Sequence, residues 1–399
     1  MNDRELEAAL RRDPTDAQTW LAYAETLRAA GDPLAELIEW ERRVRADEAG
    51  AWQARRRARE ELRGEWELSD KDGVDGEFEW GLFKVRRVRK HHAACLWRLT
   101  RVRLLDASSL ELEQVPRAEL EECLAALESL KPRRLLLSDA LLDAGDALTL
   151  ARAPAATMLR QLVLEASDAS FEGDAVMAEF ARVLPKEELE QLGLWNLRIG
   201  DAGLEALHGA GAWLQLRHLS LGFNERVLSG SLCTLFEGGC WPRLERLALG
   251  CSEVDASVMP RLSGLPLTAR LRSLSLWGTP AGPAFWREMA ESASWASLQR
   301  LNVEESDFDD AAAYALSHAR DRSLELLMSF FTPLGADAAL SLLRAEGLPS
   351  LRLLANITSA TPEQMAELRG FGQRFTLGSV HDCGTPQWIV RDHFQMDPW

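Results

Sequence analysis

The 399-residue sequence contains no Gly-x-Ser-x-Gly elbow, no phosphate-binding Walker loop, no dinucleotide fingerprint and no His-Glu-x-x-His pair. The common hydrolytic, nucleotide-dependent and zinc-dependent chemistries are therefore without their signatures, and no nucleophile stands out with its base. Long apolar runs are missing too: none approaches the roughly 18 residues expected of a membrane span, and Met1 to Glu7 is not a basic region leading into an apolar one. Cysteine is sparse, at six, with no Cys-x-x-Cys pair, which excludes a dense disulfide framework and fits reduced thiols. Positive charge is in deficit, with 46 Lys and Arg against 62 Asp and Glu, a net charge of −16. A general nucleic-acid binder needs the opposite balance, so a basic or neutral partner is favoured. These absences predict a cytoplasmic protein that neither spans a membrane nor depends on a metal or cofactor.

What is abundant is leucine in a fixed arrangement. Leu216, Leu219 and Leu221, followed by Asn224, spell Leu-x-x-Leu-x-Leu-x-x-Asn, and relatives begin at Leu159, Leu189, Leu244, Leu271, Leu298, Leu324 and Leu351. From Leu159 the starts are 30, 27, 28, 27, 27, 26 and 27 residues apart. Such a period marks a stack of similar units, each a strand followed by a helix. The Asn224 position is taken elsewhere by hydroxyls, at Ser167, Ser252, Thr279, Ser306, Thr332 and Ser359, which can also bond the turning backbone. Stretches such as Ile199 to Leu207, Val254 to Leu262 and Leu334 to Leu343 space their apolar residues by three and four, as helices packing on the strand layer would. Leu99 to Leu104 and Pro132 to Leu137 read as early repeats, and Phe375 to Leu377 as a final strand. Residues 5–48 read as three short amphipathic helices punctuated by Asp13-Pro14 and Gly31-Asp32-Pro33.

The array resembles the ribonuclease-inhibitor-like class of leucine-rich repeats. That resemblance implies an α/β solenoid with parallel strands on a concave face and helices on a convex one. The N-terminal stretch resembles the bacterial repeat-companion domain through Leu6, Asp13-Pro14, Tyr23-Ala24, Leu27, Gly31-Asp32-Pro33 and Glu36, with Leu34-Ala35 where that family usually carries Arg-Gly. Phe78, Trp80, Gly81 and Phe83 resemble the strand that commonly follows it. Together they imply a bacterial origin and an order of parts: a helical module over 1–64, a hairpin and leading cap over 65–98, repeats over 99–378 and a C-terminal cap or tail over 379–399.

Strand alternation sends the leucines inward and the residues between them onto the concave face. The rungs are then Gln161, Val163, Glu165; Gln191, Gly193, Trp195; His218, Ser220, Gly222; Arg246, Ala248, Gly250; Ser273, Ser275, Trp277; Arg300, Asn302, Glu304; and Leu326, Met328, Phe330. Large aromatics exposed among small residues suit a protein- or peptide-binding hot spot. The candidate partner-binding set is Trp195, His218, Gly222, Phe223, Arg246, Trp277, Arg300, Glu304 and Phe330. A blander alternative has Trp195 and Trp277 leaning over Gly222 and Gly250 merely to cover the sheet. The basic run from Lys84 to His92, continued by Arg98, Arg101 and Arg103, is expected to be quenched by the acidic stretch from Glu65 to Glu79. Asp70 to Gly76 lacks the spacing of a calcium loop and reads as a hairpin turn, while His381, Asp382, Cys383 and His393 lack the paired spacing of a zinc site.

A non-enzymatic scaffold, acting as an inhibitor or adaptor, accounts for these features best. Alternatives are a regulator of a nucleotide-binding switch protein, an enzyme with Glu165, His218 and Arg246 gathered across rungs, and a spacer.

Overall fold

The computed structural model describes residues 3–377 apart from 14, 67, 69–72, 80, 81, 90, 91, 101, 103, 104, 141, 142, 167–171, 225–228, 238, 252–256 and 321. Ser167, Ser252, Trp80, Gly81, Asp70 to Asp72, Arg101, Arg103 and the tail with its His381, Asp382, Cys383 and His393 lie outside the described residues. The chain divides into two compact units, Met1–Leu141 with Ala153–Leu159, and Leu142–Arg152 with Arg160–Trp399.

The first unit opens with four helices, α1 (Asp3–Arg12), α2 (Ala17–Ala30), α3 (Leu34–Arg45) and α4 (Ala51–Glu65). Asp16 caps α2 by accepting the amides of Gln18 and Thr19, so this helix starts after the Asp13-Pro14 signal. Gly31 ends it with a left-handed φ of 72°. The fourth helix was absent from the three expected from the sequence, and it brings Arg55 and Arg59 to Glu41 of α3, where Arg45 joins them.

β1 (Val74–Glu79) and β2 (Leu82–Val88) then form an antiparallel hairpin. The pairing runs up to Glu79 with Leu82, and Asp75 and Gly76 of the Asp- and Gly-rich stretch lie inside β1, where a turn was expected. The unit continues with α5 (His92–Leu99), β3 (Leu105–Asp106), β4 (Ser109–Glu113), α6 (Leu120–Leu130) and β5 (Arg134–Ala140). The expected early repeat at Leu99 is displaced, because Leu99 closes α5; β4 is instead the strand that pairs in parallel with β2 and β5. Within the basic run, Arg87 and Arg89 meet carboxylates of β4: Arg87 lies 2.8 Å from Glu111 and 3.4 Å from Glu113, and Arg89 lies 3.4 Å from Glu113. From the acidic stretch, Asp75 is 3.9 Å from Arg89.

The second unit runs α7 (Ala144–Arg152), β6 (Gln161–Ala166), α8 (Gly173–Val183), β7 (Gln191–Trp195), α9 (Asp201–Gly209), β8 (His218–Ser220), α10 (Ser229–Glu237), β9 (Arg246–Ala248), β10 (Ser273–Ser275), α11 (Pro283–Glu291), β11 (Arg300–Asn302), α12 (Asp310–Ser317), β12 (Leu326–Ser329), α13 (Ala336–Arg344), β13 (Arg352–Ala355), α14 (Pro362–Gly370) and β14 (Phe375–Leu377). Where a helix was expected from Val254, residues Met259–Gly264 form a 3-10 turn with Pro260, which has no amide hydrogen to give, in its first turn. Strands β6 to β14 pair in parallel and in chain order, aligning Leu162, Leu192, Leu219, Leu247, Leu274, Leu301 and Leu327 in one buried row. This unit is a leucine-rich-repeat solenoid, strands on its concave face and helices on its convex one.

Polar side chains stitch neighbouring repeats. Fully buried Asn224 accepts the amides of Leu197 and Ile199 through Oδ1 and donates to the carbonyls of Leu194 and Leu221 through Nδ2. Thr279 donates to the Leu249 carbonyl of the preceding repeat, whereas Ser306 and Thr332 close their own turns by donating to the Val303 and Ser329 carbonyls. In the last of these turns, where Ser359 was expected to bond the backbone, Thr358 donates to the Leu334 carbonyl. Asp174 of α8 accepts the amides of Gly200 and Gly203 at the start of α9, and Asp310 of α12 accepts that of Gly335 before α13. Each carboxylate thus satisfies the exposed donors at the next helix's positive end. A buried tryptophan column was not read from the sequence: Trp213, Trp241 and Trp295 each precede a repeat's first leucine by three residues, and Trp213 stacks on Trp241 at 5.5 Å.

Candidate functional site

Parallel pairing without slippage turns the concave residues into three columns. The first runs Gln161, Gln191, His218, Arg246, Ser273, Arg300 and Leu326; the second runs Val163, Gly193, Ser220, Ala248, Ser275, Asn302 and Met328. The third, Glu165, Trp195, Gly222, Gly250, Trp277, Glu304 and Phe330, is linked by residues at the strand exits. There Asn196, Phe223, Cys251, Gly278 and Glu305 donate their amides to the carbonyls of Gly222, Gly250, Trp277, Glu304 and Phe330 in turn.

Those donors share a conformation. Asn196, Phe223, Cys251, Gly278, Glu305 and Phe331 all have φ between 52° and 60°, so every repeat in this stretch leaves its strand through a left-handed residue. The reversal points an amide at the next repeat and throws the side chain toward the rim. Phe223 and Phe331 consequently stand 38% and 58% exposed.

The columns themselves are more enclosed than alternation alone suggests. Phe330 is 0% exposed, packed with Met328 and Leu354, and Trp195 is 8% exposed, so neither stands on an open surface as expected. Strands about 4.8 Å apart let large side chains cover their neighbours. Trp195 leans over Gly222 and donates its indole N–H to Ser220 Oγ at 2.7 Å. Trp277 leans the other way; its ring lies 3.2 Å from where a Gly250 Cβ would be. The two glycines admit both indoles, as the sheet-covering alternative anticipated. Phe223, from the exit of β8, meets Trp277 of the repeat after next edge-on, with ring centroids 5.2 Å apart at 68°.

At the opposite end of the strands, Gln161, Gln191, His218 and Arg246 line a cleft of about 410 Å³ with Arg217 and Glu245, which pair at 3.3 Å. Arg300 is exposed, two strands beyond Arg246 in the same column. Glu165 is not brought to His218 and Arg246: it belongs to the third column, they to the first, some 13 Å away along the strand direction. The assembled catalytic trio therefore does not form.

Glu304 differs from every other member of the third column. It is 4% exposed; its Oε2 lies 3.3 Å from the Asn302 amide nitrogen, while Oε1 has no hydrogen-bond partner among the described residues. Burial, the largest influence, pushes its carboxyl up to about 7, against the Asn302 hydrogen bond and aided by the nearby charge of Glu305.

No family model matches the chain, and no curated protein does. Among solved structures it is similar to a protein from Bacteroides fragilis, at 11% identity and TM-score 0.40, over 67% of this chain and 70% of that one. It is similar to yeast Rad7 in its complex with Elc1, at 14% identity and TM-score 0.43, over 74% and 72% of the two chains. It is also similar to an internalin from Listeria monocytogenes, at 13% identity and TM-score 0.35, over 74% and 86%. Among the described residues no helix is long and apolar enough to cross a membrane, and no cluster of three or more His, Cys, Asp or Glu side chains is placed to hold a metal.

Proposed function

We propose that the chain is a protein- or peptide-binding scaffold, an inhibitor or adaptor, whose partner lies along the exit rim of the concave face. The observation that carries this reading is the Phe223–Trp277 pair: an aromatic side chain 38% exposed and held against a second ring at 5.2 Å. Rigid, partly desolvated aromatics lose little conformational freedom on binding and tend to dominate interface energetics. Phe331 adds a second exposed apolar contact further along. Trp195 and Gly222 support one flank; Glu304, His218, Arg246 and Arg300 supply polar selectivity. Phe330 acts from below, holding the sheet under the rim.

A photocrosslinking residue at position 223, with one at Tyr314 on a convex helix as control, would capture and identify the partner. Replacing Phe223 and Trp277 together with alanine should then weaken the purified partner's affinity by about 2–4 kcal/mol, read by calorimetry. An unchanged affinity would overturn the site.

A further inference from the structure

Resting on the binding reading above, we infer that Glu304, Ser275 and Trp277 form a subsite for a basic side chain, lysine or arginine, of a peptide partner. The register makes them one patch. Ser275 pairs with Asn302 across β10 and β11, and Gly278, next to Trp277, donates its amide to the Glu304 carbonyl. Both Glu304 and Ser275 are more than nine-tenths buried, and Glu304 Oε1 and Ser275 Oγ lack hydrogen-bond partners among the described residues. Two buried groups left unmet on adjacent strands, with Glu304 two residues beyond the partner of Ser275, cost the fold free energy, and a donor-rich cation lying diagonally between them would satisfy both.

The surroundings favour that occupant. Strand β10 turns Ser273, Ser275 and Trp277 toward the face and β12 turns Leu326, Met328 and Phe330, so neither neighbour carries an ionisable group there. Arg300 on the same strand sits four residues away, about 13 Å along it. Glu305, next in the chain and exposed, adds negative charge. Half-buried Trp277 offers a ring along which an aliphatic stem can lie with its cation near the π face. One unmet carboxylate oxygen and a hydroxyl are too few for calcium or magnesium, which need about six oxygens, whereas an organic cation brings its own geometry. The net charge of −16 draws basic peptides toward the surface.

The probes are the N-acetyl methylamides of lysine, arginine and norleucine, titrated against the full chain. Binding is followed at the Trp277 indole and the Glu304 carboxyl by NMR. Both cationic amides should move both signals and keep Glu304 ionised to a pH about one unit lower, a tenfold effect. Norleucine, and either cation with E304Q, should bind at least about tenfold more weakly, while E305Q should stay within about twofold. Because E304Q removes a buried charge it should fold at least as well as the parent, and the wild-type titration needs no variant. Equal responses to lysine and norleucine, or full binding by E304Q, would overturn the subsite. Partner capture that survives E304Q but not the loss of Phe223 and Trp277 would overturn the subsite alone and leave the binding reading standing.

Discussion

Glu41 in the first unit and Glu304 in the second are buried to a similar depth, 1% and 4% exposed, yet they are provided for in opposite ways. Around Glu41, Arg45 and Arg55 approach to 3.1 and 3.3 Å, and Arg59 bonds both the carboxylate and the Phe78 carbonyl. The acid is a structural node tying α3, α4 and β1. Glu304 has a single amide contact and a lifted proton affinity. A fold able to surround one carboxylate with cations leaves the other short of them, on the face where a partner is proposed to lie. The contrast separates charge that holds a module together from charge held ready.

Three substitutions probe that difference. The largest effect is expected from Glu41→Ala, which strands three guanidinium groups around an empty centre and should cost about 4 kcal/mol in urea unfolding at neutral pH. A loss below about 1 kcal/mol would mean that water replaces the acid and that the node is dispensable. Glu304→Gln should act in the opposite direction. Because burial lifts the folded carboxyl to about 7 from its ordinary 4.5, the folded chain holds a proton that the unfolded chain has released between those values. Stability therefore falls as pH rises through that window, and the charged form costs about 3 kcal/mol above it. The variant should be more stable than the parent by that amount at pH 8 and nearly equal to it at pH 4.5. Equal stabilities at pH 8 would show that Glu304 ionises without penalty and erase the contrast. The smallest effect belongs to Arg55→Gln, about 0.5–1 kcal/mol by the same assay, since two arginines remain on Glu41. A loss as large as that of Glu41→Ala would show that the arginines do not share the work.

Much of the solenoid was legible because its signals are periodic. The leucine spacing fixed the strands from Leu162 to Leu327, and alternation placed His218, Arg246, Trp277 and Glu304 in the columns they occupy. Exposure was not legible, because a period of two tells which side a residue faces and says nothing of how far a neighbour leans. Gly222 and Gly250 let two indoles lie down, and Phe330 disappears beneath Met328 and Leu354. Early elements were harder, since β4 pairs through Leu110 and Leu112 without the full leucine pattern and Asp75 and Gly76, from the richer turn composition, are taken into β1. The carboxylate contrast was invisible as well: nothing in the residues flanking Glu41 announces arginines arriving from α4, 14 and 18 positions later.

Of the left-handed strand exits at Asn196, Phe223, Cys251, Gly278, Glu305 and Phe331, only Gly278 and Asn196 are of residue types that adopt this conformation readily. The others each carry about 1 kcal/mol of strain, offset where the amide bonds the following repeat. Geometry there is dictated by the ladder and not by the residue, which leaves side-chain identity as an independent variable. Successive exits then behave as a row of sockets at a pitch of about 4.8 Å. Rewriting those positions alone would change what the rim recognises while the strands beneath keep their register.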